Sequence, residues 1–374
     1  MPIKPRTIWR QHFVAAAFLG LFSACLLLAQ SSDGLLPGPK PPDAPLEWKR
    51  FVGIYEYSNN GGDKLSVIIL ERNQRPYMHY PSGPDEEIHF DLTSPYDFGQ
   101  GYRRLGFMSV PDPAKGSWSY EIMEQPGAAP HFTYLMESYV RTDVGANPAH
   151  SFRVTPARPV AELREKALKL SPPQEPGPFR KPDLVELATL DPGMHLDIRY
   201  ATSNDFLGTP VYSQARAFLQ RPAADALLRV QKKLKPLGYG LLIHDAYRPW
   251  YVTKIFWDAT PPEGKIFVAD PAQGSRHNRG CAVDLTLYDL ASRKPIEMPG
   301  TYDEMSPRSF PGYPGGTSLQ RWHRDLLRRA MESEGFAVNE SEWWHFDYQD
   351  WKEYPILNVP FEKLDTNSGT VPVH

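Results

Sequence analysis

Residues 275–288, SRHNRGCAVDLTLY, decide the predicted fold of the C-terminal half of the chain. The second half of this stretch has the apolar character of a buried strand, in which Ala282, Asp284 and Thr286 share one face. Gly280 lets the chain bend immediately before that strand, because glycine adopts backbone conformations that are closed to other residues. The stretch therefore predicts a turn that leads polar side chains into the end of a buried strand.

Helix and strand patterns alternate on both sides of this stretch. Pro222 begins a helix that Gly238 ends, and a longer amphipathic helix starts at the cap residue Ser318 and closes at Gly335. The apolar stripe of the longer helix comprises Leu319, Trp322, Leu326, Leu327, Ala330 and Met331. Extended segments are predicted at 184–200, at 239–247 (YGLLIHDAY), at 282–288 and at 343–348 (WWHFDY). The predicted fold class is α+β, with a mainly antiparallel sheet flanked by helices.

The N-terminal half has a different pattern, which predicts a separate small all-β domain at 46–157. Short apolar or aromatic runs such as FVGIYEY and LSVIIL alternate there with Gly, Pro, Asn and Asp clusters, as is typical of a small barrel or sandwich. Proline-rich segments at 30–45 and 158–183 have the composition of linkers. The α+β domain follows at 184–364, and a tail completes the chain at 365–374.

The first 29 residues resemble a secretory signal. Lys4, Arg6 and Arg10 precede an apolar run that ends at Ala29, and small residues suit cleavage there. We therefore expect an exported protein that is periplasmic or extracytoplasmic. An uncleaved anchor and a lipid on Cys25 are the alternatives, and only in those two forms is a membrane an expected partner.

The overall charge argues against nucleic acid as a partner. The 374 residues include 41 Lys and Arg against 44 Asp and Glu, which gives a formal net charge of −3. The sequence has no basic stripe of the kind that neutralises phosphates. The composition thus favours a globular protein that acts on something other than RNA or DNA.

The residues that carry chemistry stand where predicted strands meet turns: His277, Asp284, Glu342 and His345. Two neutral imidazoles and the carboxylate of Asp284 form a ligand set for one tetrahedral Zn²⁺, with a fourth position left for water. Glu342 is then free to take a proton from that water. Each residue also has a structural interpretation, since a lone buried histidine is usually a satisfied core residue and an acidic residue often caps a turn.

Strand geometry sets a condition on this site. Residues three apart point to opposite faces of a strand, so Glu342 and His345 converge only if a turn or bulge precedes Trp343. We therefore place Glu342 in the turn. Arg248 is the candidate for stabilising an oxyanion, with a structural ion pair as its alternative. The histidines without a comparable partner pattern, interpreted as structural or surface residues, are His195, His244 and His323.

Three motifs follow one another in the C-terminal half: GYGLLIHDAYRP (238–249), SRHNRGCAVDLTL (275–287) and EWWHF (342–346). In this order they resemble the zinc D-alanyl-D-alanine dipeptidases of the vancomycin-resistance type. The resemblance covers about residues 184–358. It implies one Zn²⁺ per chain on the two histidines and Asp284, Glu342 as the general base, and transition-state stabilisation by Arg248, in agreement with the chemical interpretation.

The resemblance also implies how the substrate is held. Tyr200 and Asp303 match residues that receive the free amino end of the dipeptide, and Ser275 matches a residue near its carboxylate. A site closed at both ends selects dipeptides. The chain departs from the family pattern at Ala246, where Gly is frequent, at Pro299, which interrupts the turn before Asp303, and in its extra β-domain.

The sequence thus favours an exported zinc peptidase that hydrolyses D-Ala-D-Ala, or a related dipeptide of cell-wall metabolism, through zinc-bound water activated by Glu342. One alternative is a D,D-carboxypeptidase that trims longer peptidoglycan peptides and has an open amino-end pocket. The other is a zinc-containing cell-wall binding module without catalysis. A free Glu342 argues against that module, since a closed structural zinc site has four protein ligands. Peptidoglycan is a candidate partner of the β-domain.

Overall fold

The computed structural model describes residues 34–58, 64–112, 116–125, 130–134, 137–142 and 152–364. The predicted signal segment at 1–29 and the predicted tail at 365–374 lie outside these residues. Among the residues described, buried hydrophobic side chains form two separate clusters, one in the N-terminal part and a larger one in the C-terminal part. Within the described residues, no helix combines the length and the apolar character that a membrane span requires.

In the described residues of the N-terminal part, ten strands form an antiparallel sheet, preceded by the short helix α1 (Leu46–Lys49). Its strands are β1 (Gly53–Ser58), β2 (Lys64–Arg72), β3 (Arg75–His79), β4 (Glu86–Glu87), β5 (His89–Asp91), β6 (Tyr96–Gly99), β7 (Tyr102–Asp112), β8 (Gly116–Glu124), β9 (His131–Tyr134) and β10 (Glu137–Arg141). The hydrogen-bonded order is β4-β3-β2-β1-β10-β9-β8-β7-β5, and β6 pairs with β7.

The ends of this sheet approach each other. The terminal strands β4 and β5 are joined by the single residue Ile88, so the sheet has to curl on itself, as it does in a barrel. The curl encloses a core rich in aromatic side chains, among them the fully buried Phe51, Tyr55 and Phe132.

A second sheet, of five strands in the order β12-β14-β15-β17-β16, organises the C-terminal part. Its strands are β12 (His195–Leu196), β14 (Tyr239–Asp245), β15 (Ala282–Asp289), β16 (Phe336–Asn339) and β17 (Glu342–Tyr348), while β11 (Leu184–Glu186) pairs separately with β13 (Phe218–Gln220). The helices are α2 (Val160–Ala167), α3 (Arg221–Leu234), α4 (Trp250–Ala259) and α5 (Ser318–Glu332). Only β12 and β14 are parallel in the five-stranded sheet. The predicted α+β class with a mainly antiparallel sheet is confirmed.

The amphipathic helix α5 follows its predicted stripe, but its cap is one residue earlier than expected. Apart from Leu319, which is half-buried, the apolar residues of the stripe are buried. Thr317, and not Ser318, is the N-cap: its side chain accepts from the backbone of Gln320, whose side chain bonds back to the backbone of Thr317. Gly335 follows the helix with a φ of 86°.

The extended segment expected at 184–200 is wrong over most of its length. Only β11 and the two-residue β12 are strands there. Asp191 interrupts the segment, because its side chain accepts from the backbone of Gly193 at 2.7 Å and its carbonyl accepts from Met194 at 2.9 Å. These bonds close a turn of the kind that Asp and Gly favour.

The two segments predicted as linkers are packed against the C-terminal part. Leu35 belongs to the larger core cluster, and the indole of Trp322 donates to the carbonyl of Gly38 at 3.0 Å. The Pro-rich segment contains α2, and beyond α2 Glu175 pairs with the buried Arg279. Their composition predicted linkers between domains, but these apolar and ionic contacts attach both segments to the surface of the C-terminal part.

Candidate active site

One end of the five-stranded sheet brings together residues that are far apart in the sequence. In the register of β15, Asp284 lies opposite His345 of β17 and opposite Asp245 of β14. His277 lies in a short 3-10 turn before β15, which Gly280 ends with a φ of 68°. This left-handed conformation suits glycine, and the turn brings His277 to the end of the strand that carries Asp284.

Three side-chain atoms converge at this point. Nδ1 of His345 lies 3.0 Å from Oδ1 of Asp284 and 3.0 Å from Nε2 of His277. Nε2 of His277 lies 3.3 Å from the same carboxylate oxygen. All three side chains are buried, and in the described part of the chain they are the His, Cys, Asp or Glu side chains that lie close enough together to hold a metal ion.

Hydrogen bonds on the far side of each imidazole determine which nitrogen faces the cluster. Nδ1 of His277 donates to the carbonyl of Ala246 at 2.6 Å, which leaves a lone pair on Nε2. Nε2 of His345 lies 2.9 Å from Asp347, and a proton held there leaves a lone pair on Nδ1. Oδ1 of Asp284 makes no hydrogen bond. With both imidazoles neutral, three lone pairs face one another, and a bound cation would relieve their repulsion.

The electrostatics of the cluster favour positive charge. Burial alone would lower the pKa of His345, but the carboxylates of Asp347 and Asp284 raise it well above its usual value. Burial acts to raise the pKa of Asp284, yet the imidazoles of His277 and His345 bring it far below its usual range. A metal ion replaces an imidazole proton in such a field, so the donor set fits a bound divalent cation.

Glu342 reaches the cluster through a bulge in the last hairpin. Asn339 of β16 pairs with Glu342, whereas the residue before it pairs four positions further along β17, so part of β17 bulges out of the pairing. The bulge places Oε2 of Glu342 3.5 Å from Nδ1 of His345. The irregularity that the spacing requires is therefore present. However, Glu342 is the first residue of β17 and not part of the turn, because its pairing with Asn339 closes the hairpin over residues 340–341.

The environment of Glu342 suits proton transfer. Burial raises the pKa of its carboxyl group to about 7, with the charge of His345 opposing this rise and that of Asp284 adding to it. Nδ2 of Asn339 donates to Oε2 at 3.2 Å. The side chain keeps 15% of its surface exposed and lines a cavity. A carboxyl group with a pKa near neutrality and access to a cavity is suited to general acid–base catalysis.

Arg248 is fixed beside the cluster by a buried carboxylate. Its Nε and Nη2 atoms bond Oδ2 of Asp245 at 2.9 Å and 2.8 Å, and Nη2 lies 3.6 Å from Oδ2 of Asp284. Asp245 also accepts from the hydroxyl of Tyr212 at 2.7 Å. The carbonyl of Arg248 accepts from Asn278 at 2.9 Å. These bonds hold the guanidinium rigidly, as a preorganised donor of positive charge must be held.

The residues predicted to hold the substrate are Tyr200, Asp303 and Ser275. Asp303 has an unsatisfied oxygen, and Ser275 lies next to the metal-donor residue His277. The hydroxyl of Tyr200 donates to Oδ1 of Asp303 at 2.9 Å, whereas Oδ2 of Asp303 is buried without a hydrogen bond. Burial, and then the charge of Asp284, raises the pKa of Asp303 well above its usual value. Oγ of Ser275 accepts from the backbone of His277 at 3.2 Å. A cationic ligand group beside Asp303 would satisfy its free oxygen and lower the pKa of its carboxyl group.

All of the site residues selected from the sequence line one cavity of about 220 Å³. They are Tyr200, Arg248, Ser275, His277, Asp284, Asp303, Glu342 and His345. Apolar walls come from Phe256, Met305 and Trp344, among others. Pockets for drug-sized ligands usually measure roughly 300–1,000 Å³, so this cavity suits a smaller molecule. His195, His244 and His323, interpreted from the sequence as structural or surface residues, do not line it.

Three supporting residues were not predicted from the sequence. Asp245 holds Arg248, Asp347 bonds His345, and the hydroxyl of Tyr302 donates to Oδ2 of Asp284 at 3.2 Å. Asp347 could have been predicted, because it lies two positions after His345 in β17 and residues two apart on a strand share a face. Tyr302 could not, since it comes from a loop whose path the local sequence does not determine.

The chain matches the peptidase family described as D-ala-D-ala dipeptidase over residues 180–363. The D-alanyl-D-alanine dipeptidase of Escherichia coli (strain K12) is 35% identical over 179 residues, which are 48% of this chain and 91% of that protein. The enzyme of the same name from Enterococcus faecalis is 34% identical over 181 residues, 44% of this chain and 89% of that protein. The one from Streptomyces coelicolor is 32% identical over 198 residues, 48% and 96% of the two chains. The ten-stranded sheet lies outside the family match.

Proposed function

The chain belongs to the D-alanyl-D-alanine dipeptidase family of peptidases, and we propose that it is an exported zinc enzyme that hydrolyses D-Ala-D-Ala or a closely related dipeptide. One observation carries the proposal. Two imidazole nitrogens and one carboxylate oxygen converge beside a small cavity, and that cavity also contains a second carboxylate, Glu342. The substrate is taken from the names of the relatives.

Zinc is the metal that best suits these donors. His277, Asp284 and His345 would hold it, and a set of three N and O ligands from the protein is typical of hydrolytic zinc sites that keep a position open. When bound, the ion supplies Lewis-acid polarisation of the scissile carbonyl and of a water molecule.

Glu342 and Arg248 carry out the remaining steps of hydrolysis. Glu342 takes the proton of the attacking water and returns it to the leaving amine, for which a pKa of about 7 is suited in both directions. Arg248, held in place by Asp245, stabilises the negative charge that develops on the carbonyl oxygen.

The ends of the dipeptide are recognised by opposite charges. The buried carboxyl of Asp303, with one oxygen bonded to Tyr200 and the other free, receives the ammonium group. Ser275 donates its hydroxyl to the substrate carboxylate. A non-catalytic binding module is less well supported, because the metal donors leave Glu342 outside the ligand set and in contact with the cavity.

We expect the enzyme to prefer dipeptides over longer peptides. A cavity of about 220 Å³ with a buried carboxylate at the amino-end site leaves little room for additional residues. Measured kcat/KM for D-Ala-D-Ala should therefore exceed that for tripeptides and pentapeptides ending in D-Ala-D-Ala by at least about 100-fold, as buried unpaired polar groups discriminate strongly. Equal rates on longer peptides would favour the D,D-carboxypeptidase alternative.

Asp347 is expected to strengthen zinc binding without touching the metal. Its carboxylate lies 2.9 Å from Nε2 of His345, and loss of such a partner typically weakens metal affinity by about 10- to 100-fold. Competition with a chromophoric chelator should show this loss for Asp347→Asn. The control is Asp350→Asn, whose carboxylate pairs with Arg180. Equal zinc affinities of Asp347→Asn and the unmodified protein would rule out this role.

We also propose that the protein is exported. Residues 1–29 support secretion to the periplasm or another extracytoplasmic site, which N-terminal sequencing of the secreted protein tests. Retention of the intact segment on a cytoplasmic enzyme would contradict export.

Docking of the ten-stranded sheet on peptidoglycan is supported by exposed aromatic side chains such as Tyr96 and Phe98. A protein that does not cosediment with isolated peptidoglycan would remove that role.

A further inference from the structure

The tight β2–β3 hairpin of the N-terminal sheet contacts the C-terminal part. Its turn residues Asn73 and Gln74 both have positive φ, 50° and 64°, as a type I′ turn requires. Glu71, two residues before the turn, is 1% exposed. Its backbone N–H donates to the carbonyl of Gly316 at 3.2 Å, and Leu70 forms a parallel bridge with Gly316. The hairpin thus extends onto the segment that precedes α5.

The carboxylate of Glu71 helps to cap α5. Oε2 accepts from the backbone of Ser318 at 2.7 Å, and Oε1 accepts from the backbone of Gln74 at 2.6 Å. Ser318 is the first residue of α5, and the first N–H groups of a helix have no partner inside it. Thr317 satisfies one of these groups, that of Gln320, and Glu71 satisfies another. The helix dipole also favours negative charge at this end.

Arg321 completes the contact between the two parts. Its guanidinium donates to the carbonyl of Glu71 at 2.7 Å and to the carbonyl of Gly316 at 2.8 Å. A second link between the parts, the ion pair of Lys49 with Glu297 at 3.1 Å, is exposed and therefore weak. The hairpin contact differs because Glu71 is buried, so its hydrogen bonds are shielded from water.

Gly316 connects the hairpin to the loop at 299–317. A Cβ atom on Gly316 would lie 3.2 Å from Cβ of Pro299, so these two residues pack closely. The carbonyl of Pro299 accepts from Nε of Arg308 at 3.0 Å, which ties the beginning of the loop to its middle. A displacement of Gly316 would therefore be transmitted directly to Pro299.

The same loop carries Asp303, the proposed acceptor of the substrate's amino end. The fully buried Glu304 accepts from the backbone of Thr301 at 2.9 Å, and the two residues bracket the turn. Asp303 has a φ of 60°, a left-handed conformation that is unfavourable for a non-glycine residue and persists only when its surroundings impose it. The orientation of Asp303 thus depends on the packing of its loop.

We infer that the β2–β3 hairpin is a positioning element for the amino end of the substrate: by fixing Gly316 and the start of α5, it holds the 299–317 loop in the conformation that directs Asp303 at the cavity. The identity of the bound group rests on the proposed function. The hairpin lies outside the residues matched by the family, 180–363, so the N-terminal sheet contributes to substrate selection from beyond the matched domain.

The test compares Glu71→Gln in the full chain with the control Glu87→Gln. Glutamine keeps the size of the Glu71 side chain but has only one acceptor oxygen. It therefore cannot accept from the N–H groups of both Ser318 and Gln74. Glu87 bonds Arg75 and Tyr77 inside the sheet. For Glu71→Gln we expect KM for D-Ala-D-Ala to rise about 10-fold with kcat within about 2-fold, the signature of lost substrate binding. The control should match the unmodified protein.

An N-acetylated dipeptide separates positioning from general destabilisation. It has no ammonium group for Asp303, so its kcat/KM should be nearly unchanged by Glu71→Gln, and the preference of the enzyme for the free amino end should fall about 10-fold. Zinc content should stay constant, and amide hydrogen exchange in residues 299–317 should accelerate. Arg321→Gln, which removes the other half of the contact, should reproduce the KM effect if Glu71→Gln does not fold.

Two failures can be distinguished. If the unmodified enzyme hydrolyses the dipeptide but the Glu71 and Arg321 variants keep its KM, its amino-end preference and its exchange rates at 299–317, the hairpin is only a structural anchor and the inference is wrong. If the unmodified protein does not hydrolyse the dipeptide, the proposed function fails instead. Hydrogen exchange in the 299–317 loop then still decides whether the hairpin holds the loop.

Discussion

Replacing Glu342 with glutamine is expected to lower kcat for D-Ala-D-Ala by at least about 100-fold, the usual scale for a general base. Glutamine keeps the shape of the side chain and its contact with Asn339, but it cannot take a proton from water. Glu342 lies outside the His277, Asp284 and His345 donor set, so zinc content should not change. Steady-state kinetics and metal analysis of the same preparation measure both quantities.

A matched control separates the loss of a base from the loss of a negative charge. Glu340→Gln changes an exposed residue two positions earlier in the same hairpin and should retain full activity. A Glu342→Gln enzyme that binds zinc and keeps its turnover would show that another group activates the water.

Removal of the metal is expected to abolish dipeptide hydrolysis, with a loss of at least about 100-fold, because Lewis-acid polarisation is worth several kcal/mol. Without the metal, a proton can take the place of its charge in the cluster but cannot act as a Lewis acid. Since the carboxylates of Asp284 and Asp347 raise the pKa of His345, a proton can occupy the cluster when the metal leaves. The protein should therefore stay folded after chelation while activity is lost.

The same experiment has a readout that is independent of activity. A ligand that binds only the folded state stabilises it by about 2.7 kcal/mol at a concentration 100 times its Kd. Denaturant unfolding of the chelated and zinc-restored protein should show a difference of that order. Equal stability together with equal activity would mean that the His277, Asp284 and His345 cluster holds no functional metal.

The sequence predicted those features of the site that depend on the backbone geometry of neighbouring residues. Gly280, between His277 and Asp284, indicated a bend, and the structure has a left-handed residue there. The spacing of Glu342 and His345 required a bulge, and the pairing of β16 with β17 contains it. In both cases the backbone geometry of a few consecutive residues determines which side chains meet.

The features that could not be predicted depend on contacts between distant segments. Glu71 and Ser318 are 247 residues apart, and no periodicity relates a strand of one sheet to a helix of another domain. The proline-rich segment at 158–183 has the composition of a linker, yet Glu175 is fixed by Arg279, which lies in the site's own turn. The composition of a segment indicates its conformational preferences but does not indicate which surface it packs against.

Zinc-dependent dipeptidase activity is best tested by the release of D-alanine from D-Ala-D-Ala by the mature protein, measured as isolated, after chelation and after zinc is restored. We expect D-alanine release that chelation abolishes and added zinc restores. A folded, zinc-loaded protein that releases no D-alanine would contradict it and would direct attention to longer peptides or to a binding role.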